Sequence, residues 1–343
     1  MNVSKLILHI IVFFLIFPVF GQNGINEGKY FLLPENNNKI SINSFLNSKI
    51  NRIHIFKTAE NSIYTTNQKD KVAIIDIDNN QLQIIDINSL KEIKLSIPFK
   101  IKAYSLILNE ERLFIGGIKM EPKAIDGAVL IQYNLKSNEW SELDIPKEVM
   151  IHGKAIDDIV VHDNLLIAID NLVSPKYILY YELKFNNEPS FSYYKKLNVN
   201  NPSENIHKAR ITKDYLGLYS TSWNINMTHN EHLTIYSDYN LKKYFILSNY
   251  ENTFFNDFIL NKDELYIAHR SKGLGVLKIK SNLLKELNKT MFFNDNVLDS
   301  SLIEYNDNYS GEIIKLTIIP NTSYLVLTKR KLFGIKNKII KLD

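Results

Sequence analysis

The sequence contains no cysteine among its 343 residues. This absence excludes a disulfide scaffold and any cysteine-ligated zinc or iron–sulfur centre. Charge of one sign is also scarce, because 41 Lys and Arg residues face 37 Asp and Glu residues, for a formal net charge of +4. A nucleic-acid-binding protein typically shows a clustered basic face, so we expect no nucleic-acid partner.

Motifs for nucleotide binding and for nucleophilic catalysis are missing as well. The nearest approach to a glycine-rich phosphate loop, residues 272–275, is typical of a hairpin turn and has no helix directly after it. There is no G-x-S-x-G nucleophile elbow. Beyond residue 50 the sequence shows almost no helical periodicity and instead has short β-branched and aromatic runs between polar clusters. This pattern predicts many short strands.

The first 21 residues are typical of a secretory signal peptide. Lys5 precedes an apolar run over residues 6–20 that is interrupted by His9 and Pro18. As a helix the run would rise about 22 Å, which is short of the ~30 Å hydrocarbon core and disfavours the alternative of a single membrane anchor. We therefore expect cleavage before Gln22, no stable membrane span in the mature chain, and export to the periplasm or the medium from a bacterial cell.

The remainder repeats about every fifty residues. Six runs share one form, in which an apolar strand, a tight polar turn and a second apolar strand follow one another. The second strands lie at residues 72–75, 113–116, 165–168, 216–219, 265–268 and 324–327. Several units continue with a third strand and some with a fourth, so each unit is expected to form a four-stranded antiparallel sheet.

With this period and strand pattern, residues 50–343 resemble the six-bladed β-propeller superfamily. No WD dipeptide, kelch double glycine or NHL-type motif recurs from unit to unit. The resemblance therefore implies an all-β fold of six four-stranded blades, each of which buries one face against the next. It implies no particular activity.

The start and the end of the chain decide how such a ring closes. The last unit looks one strand short, and residues 52–56 could supply the missing strand. The alternative is a seventh, degenerate blade within residues 29–66. We expect a signal peptide over residues 1–21, an N-terminal segment over 22–50 that could contribute a ring-closing strand, and the propeller domain over 51–343.

Candidate site residues gather where inner strands begin and second strands end. In a propeller these points lie on one face, at the mouth of the central channel, so residues distant in sequence converge there. Asp158, Arg210 and Asp257 occupy nearly equivalent positions in three successive repeats. The predicted ligand-binding residues are Asp157, Asp158, Asp170, Asn171, Arg210, Asn256, Asp257, His269 and Arg270.

No cofactor is expected, although a calcium site is an alternative because Ca²⁺ takes six to eight oxygen ligands. The ligands in that case would be Asp158, Asp170, Asn256 and Asp257. Lys154 and Lys176 flank this region and would compete with a cation. The structural interpretation is that Asp157 or Asp158 accepts hydrogen bonds from the backbone of the neighbouring blade.

Two further patterns in the sequence carry candidate ligand-binding side chains. The histidines at the ends of residues 229–232 have Glu231 as the only local third metal ligand, and the segment is polar, which favours an exposed loop. Aromatic side chains at the mouth, such as Trp223, Tyr177 and Tyr219, could stack on a sugar or a peptide.

No complete catalytic constellation is present, so our first interpretation is a non-catalytic module. It would bind an unidentified protein, peptide or carbohydrate ligand through the face at the channel mouth. The alternatives are a calcium-dependent hydrolase or lactonase-like enzyme with the metal at the channel, and a carbohydrate lyase or glycosidase that uses Asp158 and Asp257. Under the first interpretation, alanine at Asp158, Arg210 or Asp257 reduces binding and leaves folding intact.

Overall fold

The computed structural model describes residues 30–67, 69–109, 112–120, 127–147, 149, 154–170, 175–183, 189–197, 205–223, 229–237, 241, 244–249, 255–279, 297–298, 303–332 and 334–342. The expected signal peptide, residues 1–21, and the candidate residue Asn171 lie outside the described residues. None of the elements in these ranges is a helix long and apolar enough to cross a membrane.

The described strands form seven sheets, which we call blades 1 to 7 in chain order and which are antiparallel except for one short added strand. Blade 1 comprises β1 (Tyr30–Glu35), β2 (Lys39–Leu46) and β3 (Lys49–Lys57). Blade 2 comprises β4 (Ser62–Thr66), β5 (Lys71–Asp76), β6 (Gln81–Asp86) and β7 (Glu92–Ser96). Blade 3 comprises β8 (Ile101–Asn109), β9 (Arg112–Lys119), β10 (Ala128–Asn134) and β11 (Glu139–Glu142). Blade 4 comprises β12 (Ile156–His162), β13 (Leu165–Asp170), β14 (Tyr177–Glu182) and β15 (Ser190–Lys196).

The last three blades are less regular. Blade 5 comprises β16 (Asn205–Ile211), β17 (Leu216–Trp223), β18 (His229–Tyr236) and β19 (Tyr244–Asn249), with β23 (Val297–Leu298) added parallel to β19. Blade 6 comprises β20 (Phe255–Asn261), β21 (Glu264–His269), β22 (Gly273–Lys278) and β24 (Glu304–Tyr305), and a short 3₁₀ helix, Asp307–Tyr309, follows. Blade 7 comprises β25 (Ile313–Ile318), β26 (Tyr324–Lys331) and β27 (Gly334–Lys341).

Hydrophobic contacts between neighbouring sheets close the blades into a ring. The first strand of a complete blade is buried along its length, as in β4, whereas the fourth is largely exposed, as in β7. A separate apolar cluster fills each of the seven boundaries between adjacent blades. At the boundary of blades 7 and 1, Phe31 and Leu33 pack against Ile319 and Val326. The described residues therefore form a closed all-β propeller, as the repeat predicts.

Blade 1 corresponds to the second, third and fourth strands of the other blades. Asn36, in the turn between β1 and β2, accepts a hydrogen bond at 2.8 Å from the backbone N–H of Ile335, just after the turn between β26 and β27. At the opposite face, Ser48 in the turn between β2 and β3 lies 3.4 Å from the hydroxyl of Tyr324, where β26 begins. Thus β1 lies beside β26 and runs in the same direction.

Because blade 1 has no innermost strand among the described residues, the inner strands of blades 7 and 2 approach each other. The Nζ atom of Lys315 on β25 lies 5.1 Å from the centre of the Tyr64 ring on β4. The channel is therefore lined by six inner strands, one for each of the six repeats in the sequence, although the described strands form seven blades. The expectation of six blades is therefore corrected to the alternative, a seventh blade within residues 29–66.

The proposed closing strand pairs elsewhere. Residues 52–56 lie in β3 and pair with β2 of the same blade, for example Phe56 with Ile40 and His54 with Ile42. The two strands are joined by Asn47 and Ser48, both with positive φ, which is the geometry of a tight two-residue hairpin turn. Local pairing through this turn keeps β3 in blade 1, and the expected boundary at residue 51 falls inside β3.

Candidate functional site

A β-bulge near the start of five inner strands sets the side chains that lie between blades. The pairing register shifts by one residue in β8, β12, β16, β20 and β25. The residues that follow the bulge are Ser105, Asp158, Lys208, Asp257 and Lys315. A bulge changes the direction of the side chain that follows it. Over blades 4 to 7 the side chains at this position are alternately acidic and basic.

Asp257 is bonded on both carboxylate oxygens. Its Oδ1 atom accepts hydrogen bonds from Lys208 Nζ at 2.9 Å and from Arg210 Nη2 at 3.0 Å. Its Oδ2 atom accepts a bond at 3.0 Å from the backbone N–H of Leu316, on the inner strand of blade 7. The carboxylate therefore joins blades 5, 6 and 7.

Asp158 occupies the same position in blade 4. Its Oδ1 atom accepts a bond from the N–H of Ile159, and its Oδ2 atom accepts one at 2.6 Å from the N–H of Ala209 in blade 5. Arg210, the neighbour of Ala209, continues the connection to Asp257. The interpretation of Asp158 as a hydrogen-bond acceptor for the next blade matches this geometry.

Charge pairing and burial shift the pKa values in this cluster in a consistent way. Burial opposes ionisation of Asp257, yet the charges of Lys208 and Arg210 and the N–H of Leu316 bring its pKa below the ordinary value. Burial lowers the pKa of Lys208 despite the attraction of Asp257. Lys315 is 1% exposed, and burial lowers its pKa to about 7. The cluster is a largely buried ion-pair network in the wall of the channel.

Three other predicted residues lie in or beside this network. Asn256 donates a hydrogen bond at 2.8 Å to the carbonyl of Ile313 in blade 7. Arg210 is 7% exposed and also donates to the carbonyl of Ala209. Asp157 is the extra residue of the bulge and is half-buried. The bulge makes Lys208, and not Arg210, the structural equivalent of Asp158 and Asp257.

Asp170 lies in a second buried ion pair. Its Oδ2 atom is 2.6 Å from Lys154 Nζ, and both side chains are fully buried. Lys154 also donates to the carbonyl of Pro175 and lies over the ring of Tyr177. Within the described ranges Oδ1 of Asp170 has no hydrogen-bond partner. Burial raises the pKa of Asp170 to about 7 against the opposing effect of Lys154.

The four residues of the calcium alternative do not form one ligand set. Among the described residues no three His, Asp or Glu side chains come together as a metal site would require. Asp158 and Asp257 already accept backbone N–H groups, Asn256 donates its amide, and Asp170 pairs with a lysine. Carboxylates engaged in this way present few free oxygens to Ca²⁺, which needs six to eight.

A different cluster lies at the mouth between blades 5 and 6. Glu231 is only 2% exposed, on β18, and the expectation of an exposed loop over residues 229–232 is therefore wrong. Its Oε1 atom accepts a bond at 3.0 Å from the Tyr219 hydroxyl, and Oε2 accepts one at 2.6 Å from the N–H of Phe255 in blade 6. Burial raises the pKa of Glu231 to about 8.

His269 lies in the same cluster, in edge-to-face contact with the rings of Phe255 and Tyr305. Its Nδ1 atom accepts hydrogen bonds from the backbone N–H groups of Ser271 at 3.1 Å and Lys272 at 2.9 Å. The ring proton must therefore be on Nε2. This atom is buried and has no partner in the part of the chain that the structure describes. Burial and the charge of Lys272 lower the pKa of His269 to about 4, so the ring is neutral.

Arg270 follows His269 in the turn between β21 and β22 and is exposed, as are Ser271 and Lys272. The charge of Arg270 lowers the pKa of Glu231, against the larger effect of burial. Two of the predicted residues, His269 and Arg270, thus lie at the mouth with Glu231 and Tyr219. The sequence indicated Glu231 only as a metal ligand beside the histidines of residues 229–232, and no local motif marks Lys208 or Lys315.

The comparisons with known proteins agree on the fold. No protein-family model matches the chain, and no curated protein does. The solved structure of the Cps50 (Swd1) β-propeller domain from Myceliophteria thermophila is similar with a TM-score of 0.57 and 9% identity, over 92% of this chain and 94% of that one. Hsv2p from Kluyveromyces lactis gives 0.55 and 13%, over 93% and 96%. The computationally designed Ika8 protein gives 0.52 and 9%, over 94% and 99%. Identities this low establish the β-propeller fold alone.

Proposed function

We propose that the protein is an exported, non-catalytic β-propeller that binds a peptide segment of a partner protein at the channel mouth, over blades 5 and 6. The observation that carries the proposal is the Nε2–H group of His269, a buried donor without an acceptor among the described residues. Such a group costs about 1–3 kcal/mol of folding free energy. Because His269 is fully buried, a bound acceptor recovers this cost by entering between the flanking rings of Phe255 and Tyr305. Export is supported by the sequence of residues 1–21.

A peptide fits the groups that surround this donor. Its backbone carbonyl groups are acceptors for an N–H donor, and its apolar side chains pack well against aromatic rings. Tyr305 and Phe255 flank His269, and the exposed Arg270 and Lys272 offer positive charge to a carboxylate. The enzyme alternatives have no comparable observation in their favour, since the carboxylates that they require accept hydrogen bonds from the protein itself.

The test is to pan a random-peptide library against the full chain and to measure the affinities of enriched peptides by calorimetry. We expect His269→Phe, which keeps an aromatic ring and removes the donor, to weaken binding at least tenfold. Leu46→Ser alters an exposed leucine at the opposite face and should leave the affinity unchanged. Thermal melts of each variant establish that it is folded. The proposal fails if no peptide is enriched, or if folded His269→Phe binds as tightly as the wild type.

A further inference from the structure

The hairpin of β26 and β27 concentrates positive charge that the whole-chain composition does not reveal. No acidic residue occurs between positions 324 and 342. The basic residues of this hairpin are Lys329, Arg330, Lys331, Lys336, Lys338 and Lys341. The small net charge of the whole chain therefore conceals a strongly basic hairpin in blade 7.

Strand pairing places four of these lysines on one face of the hairpin. Lys329 is directly opposite Lys336, and Lys338 is opposite Leu327, two residues before Lys329. Lys331, two residues after Lys329, shares that face because side chains alternate along a strand. We call Lys329, Lys331, Lys336 and Lys338 the lysine face.

The lysine face is electrostatically strained. Burial, followed by the charges of Lys338 and Lys331, lowers the pKa of Lys329. Like charges directly opposite on paired strands destabilise a sheet, as Lys329 and Lys336 do here. Neighbouring residues stabilise the arrangement in part. Lys329 donates to the carbonyl of Ser310 at 2.8 Å, and Lys338 donates to the carbonyl of Asn308 and lies 4.5 Å from the centre of the Tyr309 ring. A costly arrangement of this kind is expected at a functional surface and not in an optimised scaffold.

An apolar residue projects from the tip of the same hairpin. Leu332, in the turn, is 90% exposed, more than any other exposed large hydrophobic side chain of the described residues. In sequence it follows three consecutive basic residues and precedes Phe333. The turn is fixed at its base, because Asn36 of blade 1 accepts the N–H of Ile335. The second strands end on the mouth face, so the tip points away from the ring on that side.

We propose that this hairpin docks the protein on the surface of an anionic lipid bilayer. Leu332 enters the interface between headgroups and acyl chains, and the lysine face contacts the anionic headgroups. Basic residues that flank an apolar tip are the combination that binds such surfaces. A soluble polyanion would use the charge and would leave Leu332 in water, so the lipid surface accounts for more of the structure. This proposal does not depend on the peptide site.

Vesicle flotation of the full chain tests the proposal. Vesicles of phosphatidylcholine alone are compared with vesicles that contain phosphatidylglycerol, and the readout is the ratio of the two partition coefficients. Binding through the apolar run of residues 6–20 contributes equally to both partition coefficients, so it cancels in the ratio. Each lysine near an anionic surface contributes about fivefold in affinity. We therefore expect Lys336→Glu/Lys338→Glu to reduce the ratio at least 25-fold, and added salt to reduce it for the wild type.

Matched variants at the opposite face are the controls. Lys49→Glu/Lys91→Glu makes the same change in net charge at two exposed lysines and should change the ratio little. Leu332→Ser should weaken binding to anionic vesicles about tenfold, whereas Leu46→Ser, at another exposed hairpin tip, should not. Both hairpin variants should melt close to the wild-type temperature. The lysine variant relieves repulsion but loses the contact of Lys338 with the Tyr309 ring, and Leu332 is exposed.

Two results would overturn the proposal. One is equal partitioning of the wild type to both kinds of vesicle. The other is preferential binding of a short DNA duplex, lost in Lys336→Glu/Lys338→Glu and unaffected by Leu332→Ser, which would make the hairpin a site for soluble polyanions. If the wild type binds no peptide but still prefers anionic vesicles, the proposed function is refuted and the docking hairpin stands.

Discussion

The Oδ2 atom of Asp257 in blade 6 accepts a hydrogen bond at 3.0 Å from the backbone N–H of Leu316 in blade 7. Asp158 makes the equivalent bond to Ala209 across the boundary of blades 4 and 5. Both carboxylates are buried, and both hold the inner strand of the next blade. The residues that the sequence marks as a ligand site are therefore part of what holds the ring together.

Removing one partner of the buried ion pair of Lys154 and Asp170 should destabilise the protein more than replacing both partners by apolar residues. Lys154→Met leaves a buried carboxylate without its partner, and we expect it to lower the free energy of unfolding by about 3–5 kcal/mol. The double variant Lys154→Met/Asp170→Leu removes both charges of the pair and leaves the charge of the buried Lys176, and we expect it to recover part of that loss. Urea denaturation of the two variants and of Asp170→Leu measures the coupling.

The exposed pair of Lys119 and Glu142 on blade 3, at 3.0 Å, is the matched control. Lys119→Met should cost no more than about 1 kcal/mol, because exposed ion pairs contribute little. A double variant at Lys154 and Asp170 that is less stable than either single variant would show that the buried charges themselves stabilise blade 4.

Glu231 should make stability depend on pH. Its pKa of about 8 lies above the ordinary value of 4.5, so the folded state retains a proton that the unfolded state releases between these pH values. The wild type therefore loses stability as the pH rises from about 4.5 to 8. Glu231→Gln resembles the protonated form, and its stability relative to the wild type should increase over this range. Thermal melts at a series of pH values measure the difference.

Glu139, an exposed carboxylate at the start of β11, supplies the control for this experiment. Glu139→Gln should follow the wild-type curve at every pH. A Glu231→Gln curve that runs parallel to the wild type would mean that Glu231 is ionised in the folded protein throughout.

Blade 1 should be necessary for the stability of the ring. Phe31 is 1% exposed and packs against Ile319 and Val326 of blade 7. Phe31→Ala should lower the free energy of unfolding by about 3–5 kcal/mol. Ile53→Ala, on the exposed strand β3 of the same blade, should cost only about 0.5 kcal/mol. If Phe31→Ala unfolds like the wild type in urea, blade 1 is an appendage to a ring of six blades.

The sequence predicted the architecture because strand periodicity and a repeat of about fifty residues are properties of the chain itself. The six repeats correspond to the six inner strands, β4, β8, β12, β16, β20 and β25. The repeat did not reveal blade 1, because each repeat was defined by an inner strand followed by a second strand. Blade 1 has no inner strand among the described residues. Its place in the ring depends on contacts such as Asn36 with Ile335.

The candidate site was less predictable. Arg210 looked equivalent to Asp158 and Asp257 because a bulge, which is invisible in sequence, shifts the register by one residue. Asp158, Lys208, Asp257 and Lys315 recur at equivalent positions of the inner strands. This equivalence is evident only once the strand pairing is known. Glu231 lies in a polar run typical of a loop, and its burial follows from the N–H of Phe255 on the next blade.

The most direct test of the central claim is the unfolding free energy of Asp257→Asn, measured by urea denaturation beside Asp163→Asn, an exposed carboxylate whose side chain is 83% exposed. Asp257→Asn leaves Lys208 and Arg210 without a counter-charge, and we predict a loss of about 3–5 kcal/mol, with almost none for Asp163→Asn. Equal stability of Asp257→Asn and the wild type would contradict the account and return Asp257 to the list of ligand-binding residues.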